Sequence, residues 1–335
     1  MNEVVIVTAA DMESRFYDLL VKYGFHEPKA RSCAEIFTSN SVDGVYTHGV
    51  NRFSKFIQYV SDGVINRNAE PVLKNRFGAI EQWDGNFGAG PLNAVHCTER
   101  AMELARSFGI GAITLSNNNH WMRGGYYGWQ AAKKGFILIA WTNTIACMPA
   151  WQAIDHHLGN NPLVIAIPYK DSAIVLDMAM SQFSYGSLVS AKMKGETLPV
   201  PGGYDEMGKP STNPAAVLDT ERVIPAGFWK GAGMALLLDI LTSVLSGGMS
   251  TAEITATGKE YSSQVFIALD PGHFSESSTI NKIINRILED YHKSKAFEAG
   301  KSVQHPGERV IKNRKKNLES GIPVPKKVWE KILSL

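Results

Sequence analysis

Apolar residues recur at helical spacing through the first sixty positions and give way to short β-type runs beyond them. Phe16, Leu19, Leu20 and Tyr23 stand at i, i+3, i+4 and i+7, the period that lays one face of a helix on a core. Thr8, with Asp11 three residues on, predicts the start of that helix, and Gly24 its end. Pro28 predicts a second start, because its missing N–H costs nothing in a first turn, and Cys33, Ile36 and Phe37 supply the apolar stripe. Phe53, Phe56, Ile57 and Val60 then repeat at helical spacing up to Gly63. Residues 1–65 read as an N-terminal helical lobe.

The stretches 71–84 and 111–115 predict strands, 91–108 a helix ending at Gly109, and 136–142, 162–168 and 173–178 short strands rich in Ile, Val, Leu and Trp. Helices are predicted at 125–134, 232–246 and 279–295, and a strand at 264–269. This gives an α/β core over 66–300 with a largely buried sheet. A basic, proline-containing tail, 301–335, is expected to pack back on that core.

With 335 residues and 44% hydrophobic composition, the chain is too large for a single small binding module. Its 34 Lys and Arg nearly balance 32 Asp and Glu, which argues against a dedicated nucleic-acid binder. Cys33, Cys97 and Cys147 are odd in number and lack CxxC spacing, so neither a disulfide framework nor a zinc site is expected, and a reducing compartment is. The run Val4–Val7 lacks a basic flank and is soon followed by Asp11 and Glu13, so no signal peptide or anchor is expected. The apolar runs 136–141 and 234–245 are short of the ~20 residues of a span or carry Asp239. A cytoplasmic protein is expected.

Candidate chemistry sits in Val45-Tyr46-Thr47-His48-Gly49-Val50-Asn51-Arg52-Phe53. On one helix, His48 and Arg52 would project from a single face. An imidazolium can protonate the oxygen of a carbonyl that receives hydride, and a guanidinium can hold the adjacent carboxylate. No G-x-G-x-x-G follows a strand, and neither a Walker loop nor a G-x-S-x-G elbow is present. A dinucleotide must therefore be held in another way. Asp155-His156-His157 does not make a metal site, because adjacent strand histidines face opposite ways, and no metal is expected. The run Lys312–Lys316 reads as a solvated helix face.

Several ordered blocks point further: Gly44–Phe53, Asn119-His120-Trp121-Met122-Arg123-Gly124-Gly125, Trp141-Thr142-Asn143, Asn161-Pro162-Leu163, Asp177-Met178-Ala179-Met180-Ser181 and Trp229-Lys230-Gly231. Together they resemble the malate/L-lactate dehydrogenase family of non-Rossmann oxidoreductases over nearly the whole chain. The resemblance implies an α/β, non-Rossmann NAD-binding fold with a mostly antiparallel central sheet. It also implies an intertwined homodimer with the cofactor near the subunit interface.

Residue by residue, the resemblance makes His48 the proton donor and Arg52 the contact to the substrate carboxylate, with His120 lining the same pocket. It gives cofactor contacts to Ala173, Ile174, Val175, Leu176, Asp177, Met178 and Ala179, to Trp229 and Lys230, and to Gly307 and Glu308 of the Pro306-Gly307-Glu308 turn. The wider family often has Thr at the place of Asn160 and a Gly-Lys pair where this chain has Gly186-Ser187. The expected activity is reduction of a 2-keto acid of sugar-acid type with NADH, NADPH being the other candidate. Within the class, the alternatives are malate, L-lactate and ureidoglycolate dehydrogenases. From another class, the alternative is a catalytically silent protein that binds a sugar acid or a nucleic acid.

Overall fold

The computed structural model describes residues 3–298 and 300–335. The chain opens with β1 (Val4–Val7), α1 (Ala9–Lys22), α2 (Glu27–Val42), a 3-10 turn at Tyr46–His48 and α3 (Val50–Ser61). Thr8 caps α1 by accepting from the Asp11 N–H at 3.1 Å, and Pro28 lies in the first turn of α2. A hairpin follows, β2 (Val72–Phe77) and β3 (Ile80–Asp84), so the predicted strand at 71–84 is two strands turning at Gly78, whose φ is +55°. Then come α4 (Gly90–Phe108), β4 (Ile110–Asn119), α5 (Gly124–Lys133), β5 (Ile137–Thr142), the short pair β6 (Met148–Pro149) and β7 (His156–Leu158), β8 (Leu163–Tyr169) and β9 (Ser172–Met178).

The second half adds α6 (Tyr185–Lys194), the short pair β10 (Gly203–Tyr204) and β11 (Pro210–Ser211), and α7 (Pro214–Thr220). These are followed by α8 (Trp229–Ser246), α9 (Thr251–Ala256), β12 (Tyr261–Leu269), α10 (Ser277–His292), α11 (Glu308–Ser320), β13 (Ile322–Pro325) and α12 (Lys326–Leu333).

Seven strands form the central sheet in the order β2-β3-β4-β12-β5-β8-β9. The β3–β4 pairing is parallel, and the other neighbours run antiparallel. Successive residues along a strand face opposite sides, and the core divides accordingly. Leu138, Ala140 and Phe266 pack under α4 and α5, whereas Trp141 and Val265 pack with Ala232, Ala235 and Leu238 of α8. The N-terminal helices enclose a separate core, in which Phe16 stacks on Phe53 and Phe37 meets both edge-on. Ile322, Val324 and Ile332 of the tail complete that core, and β13 pairs antiparallel with β1.

Helix α8 is apolar enough, at 18 residues, to span a membrane by length and composition alone. Its inner face nevertheless belongs to the protein core, and its Asp239 accepts from Asn143 at 2.9 Å and from the Thr251 N–H at 3.0 Å. The outer face carries Met234, Leu237, Ile240, Leu241 and Val244, all exposed.

Candidate active site

His48 closes the 3-10 turn, and Gly49, at φ −118° and ψ −122°, separates it from α3. His48 and Arg52 are therefore not one turn apart on a single helix, and that expectation is corrected. Packing against α2 imposes the break. A Cβ on Gly49 would lie 2.3 Å from Ser41 Oγ and 3.0 Å from the Phe37 carbonyl, so only glycine lets the chain pass this close. Ser41 Oγ accepts from the Val50 N–H at 2.8 Å, and Asn40 Nδ2 donates to the His48 carbonyl at 3.0 Å. The chain is thus held on both sides of Gly49.

Two adjoining cavities meet at His120. The larger, of about 580 Å³, is lined by His48, His120, Asp177 and Gly307 among others. The smaller, of about 200 Å³, is lined by Arg52, His120, Asn160, Tyr185 and Glu260 among others. The rings of His48 and His120 lie nearly parallel, at 19°, with centroids 5.6 Å apart. The backbone N–H of Met122 donates to His120 Nδ1 at 2.9 Å, which leaves the ring proton on Nε2. His120 is held as a neutral donor. The Thr47 hydroxyl stands 3.2 Å from His48 Nδ1 and can orient that ring in the same sense.

Burial, reinforced by the cations Arg52 and Arg123 and partly opposed by Glu260, pulls the His48 pKa down to about 4. The His120 pKa is pushed well below its ordinary value by burial first and then by Arg52, His48 and Lys55. Both imidazoles are therefore neutral at pH 7. An arriving carboxylate on Arg52 would relieve part of that repulsion and raise His48 toward the charged form.

Arg52 is already paired. Glu260, just ahead of β12, forms an ion pair with Arg52, and its other oxygen stands 2.6 Å from Lys55 Nζ. Burial pushes the Glu260 carboxyl up, but Arg52 and Lys55 outweigh it and hold the group ionised below its usual range. Two cations and one carboxylate leave a single net positive charge in this corner.

At the other end, β9 is an outer strand of the sheet, so its free edge can offer backbone groups to a ligand. Val175, Leu176, Asp177 and Ala179 line the larger cavity. Asp177 accepts from the Gly125 N–H at 2.8 Å and lies 3.7 Å from Arg123 Nε; Arg123 in turn is ion-paired with buried Asp43. Burial raises the Asp177 carboxyl, against Arg123 and the Gly125 N–H. This chain of contacts ties the turn before His48 to the end of β9. Gly307 adopts φ +100° at the N-terminus of α11, and a Cβ there would lie 3.2 Å from the Val175 N. Trp129 Cζ2 would lie 3.4 Å from the same Cβ, so a side chain here would crowd both the strand backbone and that ring.

A family model described as malate/L-lactate dehydrogenase matches residues 7–333. The chain belongs to the malate/L-lactate dehydrogenase family. It is 41% identical over 331 residues to a 2,3-diketo-L-gulonate reductase of Klebsiella pneumoniae, covering 98% of this chain and 99% of that relative. The malate dehydrogenase of Entamoeba histolytica shares the fold, with a TM-score of 0.93 at 24% identity, over 99% of this chain and 97% of that one. A sulfolactate dehydrogenase from Methanocaldococcus jannaschii superposes with a TM-score of 0.88 at 26% identity, over 98% and 95% of the two chains.

As a member of this family the chain is an oxidoreductase, and the reaction class calls for a nicotinamide cofactor, which when bound supplies or accepts the hydride. The site fits such a group: the larger cavity has the size of a cofactor pocket, and its walls combine a free strand edge, a side-chain-free Gly307 and the first turn of α11. Helix N-termini and exposed backbone N–H groups suit phosphates.

Not every residue expected at the site lies on its wall. Ala173 is buried in the core, Met178 packs with the α8 cluster, and Ile174 does not line either cavity. Glu308 stands behind the wall, 2.6 Å from His305. Trp229 and Lys230 occupy the first turn of α8, away from both linings, with Trp229 65% exposed. Asn160 and Ser187, the two departures from the family pattern, both line the larger cavity. Sequence reasoning gave no role to Lys55, Arg123 and Glu260, which the structure brings to the site through their ion pairs. Lys55 follows Arg52 at i+3 and could have been found; Glu260 is 208 residues from Arg52, and no local pattern connects them.

Proposed function

We infer that this chain reduces a 2-keto sugar acid with NADH, and that 2,3-diketo-L-gulonate is its substrate. The observation that carries the reading is the pairing of Arg52 and Lys55 with Glu260 beside the His48 and His120 rings. One net positive charge accepts one carboxylate, and the carboxylate of Glu260 is then free to accept hydrogen bonds from substrate hydroxyls. Asn160, Thr144 and Tyr185 add polar partners to the same small cavity. A polyhydroxylated monoanion meets each of these features, and the naming of relatives 41% identical over the full chain supports the same substrate.

In this reading Arg52 holds the substrate carboxylate in a planar fork, and His120 donates through Nε2 to the keto group. His48, charged once that carboxylate is in place, delivers its proton to the carbonyl oxygen as hydride reaches the carbon. The cofactor would be held along the strand edge from Ala173 to Ala179, chiefly at the wall residues Val175, Leu176, Asp177 and Ala179, and by Gly307, with Glu308 reaching it by turning away from His305. A carboxylate at Glu308, if turned from His305 into the cavity, would favour a free ribose hydroxyl over a phosphate, which supports NADH rather than NADPH.

The exposed apolar face of α8 supports a homodimer, since a face of this kind is normally covered. Trp229 and Lys230, at the start of that face, would then stand at an interface close to the cofactor. The division into a helical lobe at 1–65, a core at 66–300 and a tail at 301–335, and a cytoplasmic location, complete the proposal. Consumption of NADH on addition of keto acids, read at the nicotinamide absorbance, tests it; absence of turnover on every keto acid offered would refute it.

A further inference from the structure

Three metal-ligand side chains converge beside the larger cavity, His305 being the one on its lining, outside the machinery assigned to proton transfer and carboxylate binding. His292 ends α10, His305 lies in the loop before α11, and Glu308 opens α11. His292 Nε2 stands 3.1 Å from His305 Nδ1 and 3.2 Å from Glu308 Oε1, and His305 Nδ1 is 2.6 Å from that same oxygen. The two imidazole rings lie 29° from parallel, with centroids 5.2 Å apart. His305 and Glu308 are sheltered, at 13% and 20% exposure, whereas His292 is exposed, at 38%.

The three atoms, His292 Nε2, His305 Nδ1 and Glu308 Oε1, lie within 3.2 Å of one another. Each can turn a lone pair toward one shared centre, which a cation there would use. Bonds of about 2.1 Å place tetrahedral ligand atoms roughly 3.4 Å apart, so each separation here needs to open by less than ~1 Å. Lys312 Nζ, the nearby competing cation, is 3.9 Å from the other Glu308 oxygen, Oε2.

We propose that His292, His305 and Glu308 bind a divalent transition-metal ion of the zinc class, with a fourth position left to water. Two imidazoles and one carboxylate suit zinc and its neighbours better than magnesium or calcium, which take all-oxygen sets. The ion pins the end of α10 to the start of α11 beside Gly307. It also occupies Glu308, so zinc and NADH compete at the cavity mouth; this second effect rests on the cofactor role proposed for Glu308.

The test is calorimetric titration of zinc chloride into the metal-stripped full-length enzyme. One equivalent per chain is expected to bind, and His292→Ala and His305→Ala should each weaken it by at least ~10-fold. His157→Ala, at the separate surface contact between His157 and Asp155, should leave it unchanged. Circular dichroism establishes that each variant is folded, and His305→Gln replaces His305→Ala if the alanine variant is not. Absence of stoichiometric binding to the wild-type enzyme, or undiminished affinity in both histidine variants, overturns the site. Fluorescence titration with NADH then examines the linkage separately. Zinc should weaken NADH binding in the wild-type enzyme and not in His292→Ala; NADH affinity unaltered by saturating zinc overturns the competition, and the calorimetry alone decides the site.

Discussion

Arg52 and Glu260 form an ion pair inside the smaller cavity although 208 residues separate them along the chain. Helix α3 brings the guanidinium and the segment leading into β12 brings the carboxylate, and Lys55 on the same helix shares that carboxylate at 2.6 Å. A keto acid must therefore displace or share an existing anion, and the balance of charge left behind sets what can enter. Breaking such a sheltered pair without replacement is costly, so the incoming carboxylate has to take over the contacts that Glu260 gives up.

Glu260→Gln should therefore change selectivity more than overall competence. With the carboxylate gone, Arg52 and Lys55 present two unopposed cations, and a dicarboxylate such as oxaloacetate gains relative to a monoanionic sugar acid. The ratio of kcat/KM for oxaloacetate to that for 2,3-diketo-L-gulonate should rise by at least ~10-fold, about 1.4 kcal/mol in relative transition-state binding. An unchanged ratio in a folded variant would remove Glu260 from substrate selection.

His48→Asn should lower kcat by ~10² or more while leaving NADH affinity nearly unchanged, because asparagine keeps a hydrogen-bonding group but cannot deliver a proton. Rapid-mixing kinetics at saturating substrate would measure it. Turnover within a few-fold of wild type would assign the proton to another group.

The pH dependence carries a sign that can be checked. His48 works in reduction only when protonated, and its pKa is pulled down to about 4 by burial and by Arg52 and Arg123. The kcat/KM for reduction, which reports the free enzyme, should thus fall with rising pH from the acid side of neutrality onward. The kcat, which reports the complex, should hold to a higher pH, because the bound carboxylate offsets Arg52 and raises the histidine. Oxidation needs the neutral ring and should rise with pH until the ring is fully deprotonated. Coincident profiles for kcat and kcat/KM would contradict a carboxylate-driven rise in the His48 pKa.

Much of this architecture could be read from local pattern. The Thr8 cap, Pro28 in the first turn of α2 and the runs of β5, β8 and β9, dense in Ile, Val, Leu and Trp, are local signals, and the structure places elements where they point. The mostly antiparallel sheet followed from the family resemblance rather than from periodicity, and the pairings agree with it. The break at Gly49 was not legible, because the backbone of α2 that forces it comes from a separate element. Nor was β13, whose Ile322-Pro323-Val324-Pro325 sequence reads as irregular. Its prolines are tolerated because the strand pairs only with β1 at the margin of the fold. The site residues on His48, Arg52 and β9 sit in recognisable blocks, whereas Glu260 acquires its meaning only when two distant segments meet.

The most direct measurement is steady-state NADH oxidation by the purified enzyme on 2,3-diketo-L-gulonate, oxaloacetate and pyruvate, under one set of conditions. A single net positive charge flanked by polar partners should give 2,3-diketo-L-gulonate the highest kcat/KM, by at least ~10-fold over either competitor. Oxaloacetate or pyruvate turned over with equal or greater kcat/KM would contradict the assignment of this pocket to a polyhydroxylated monoanion.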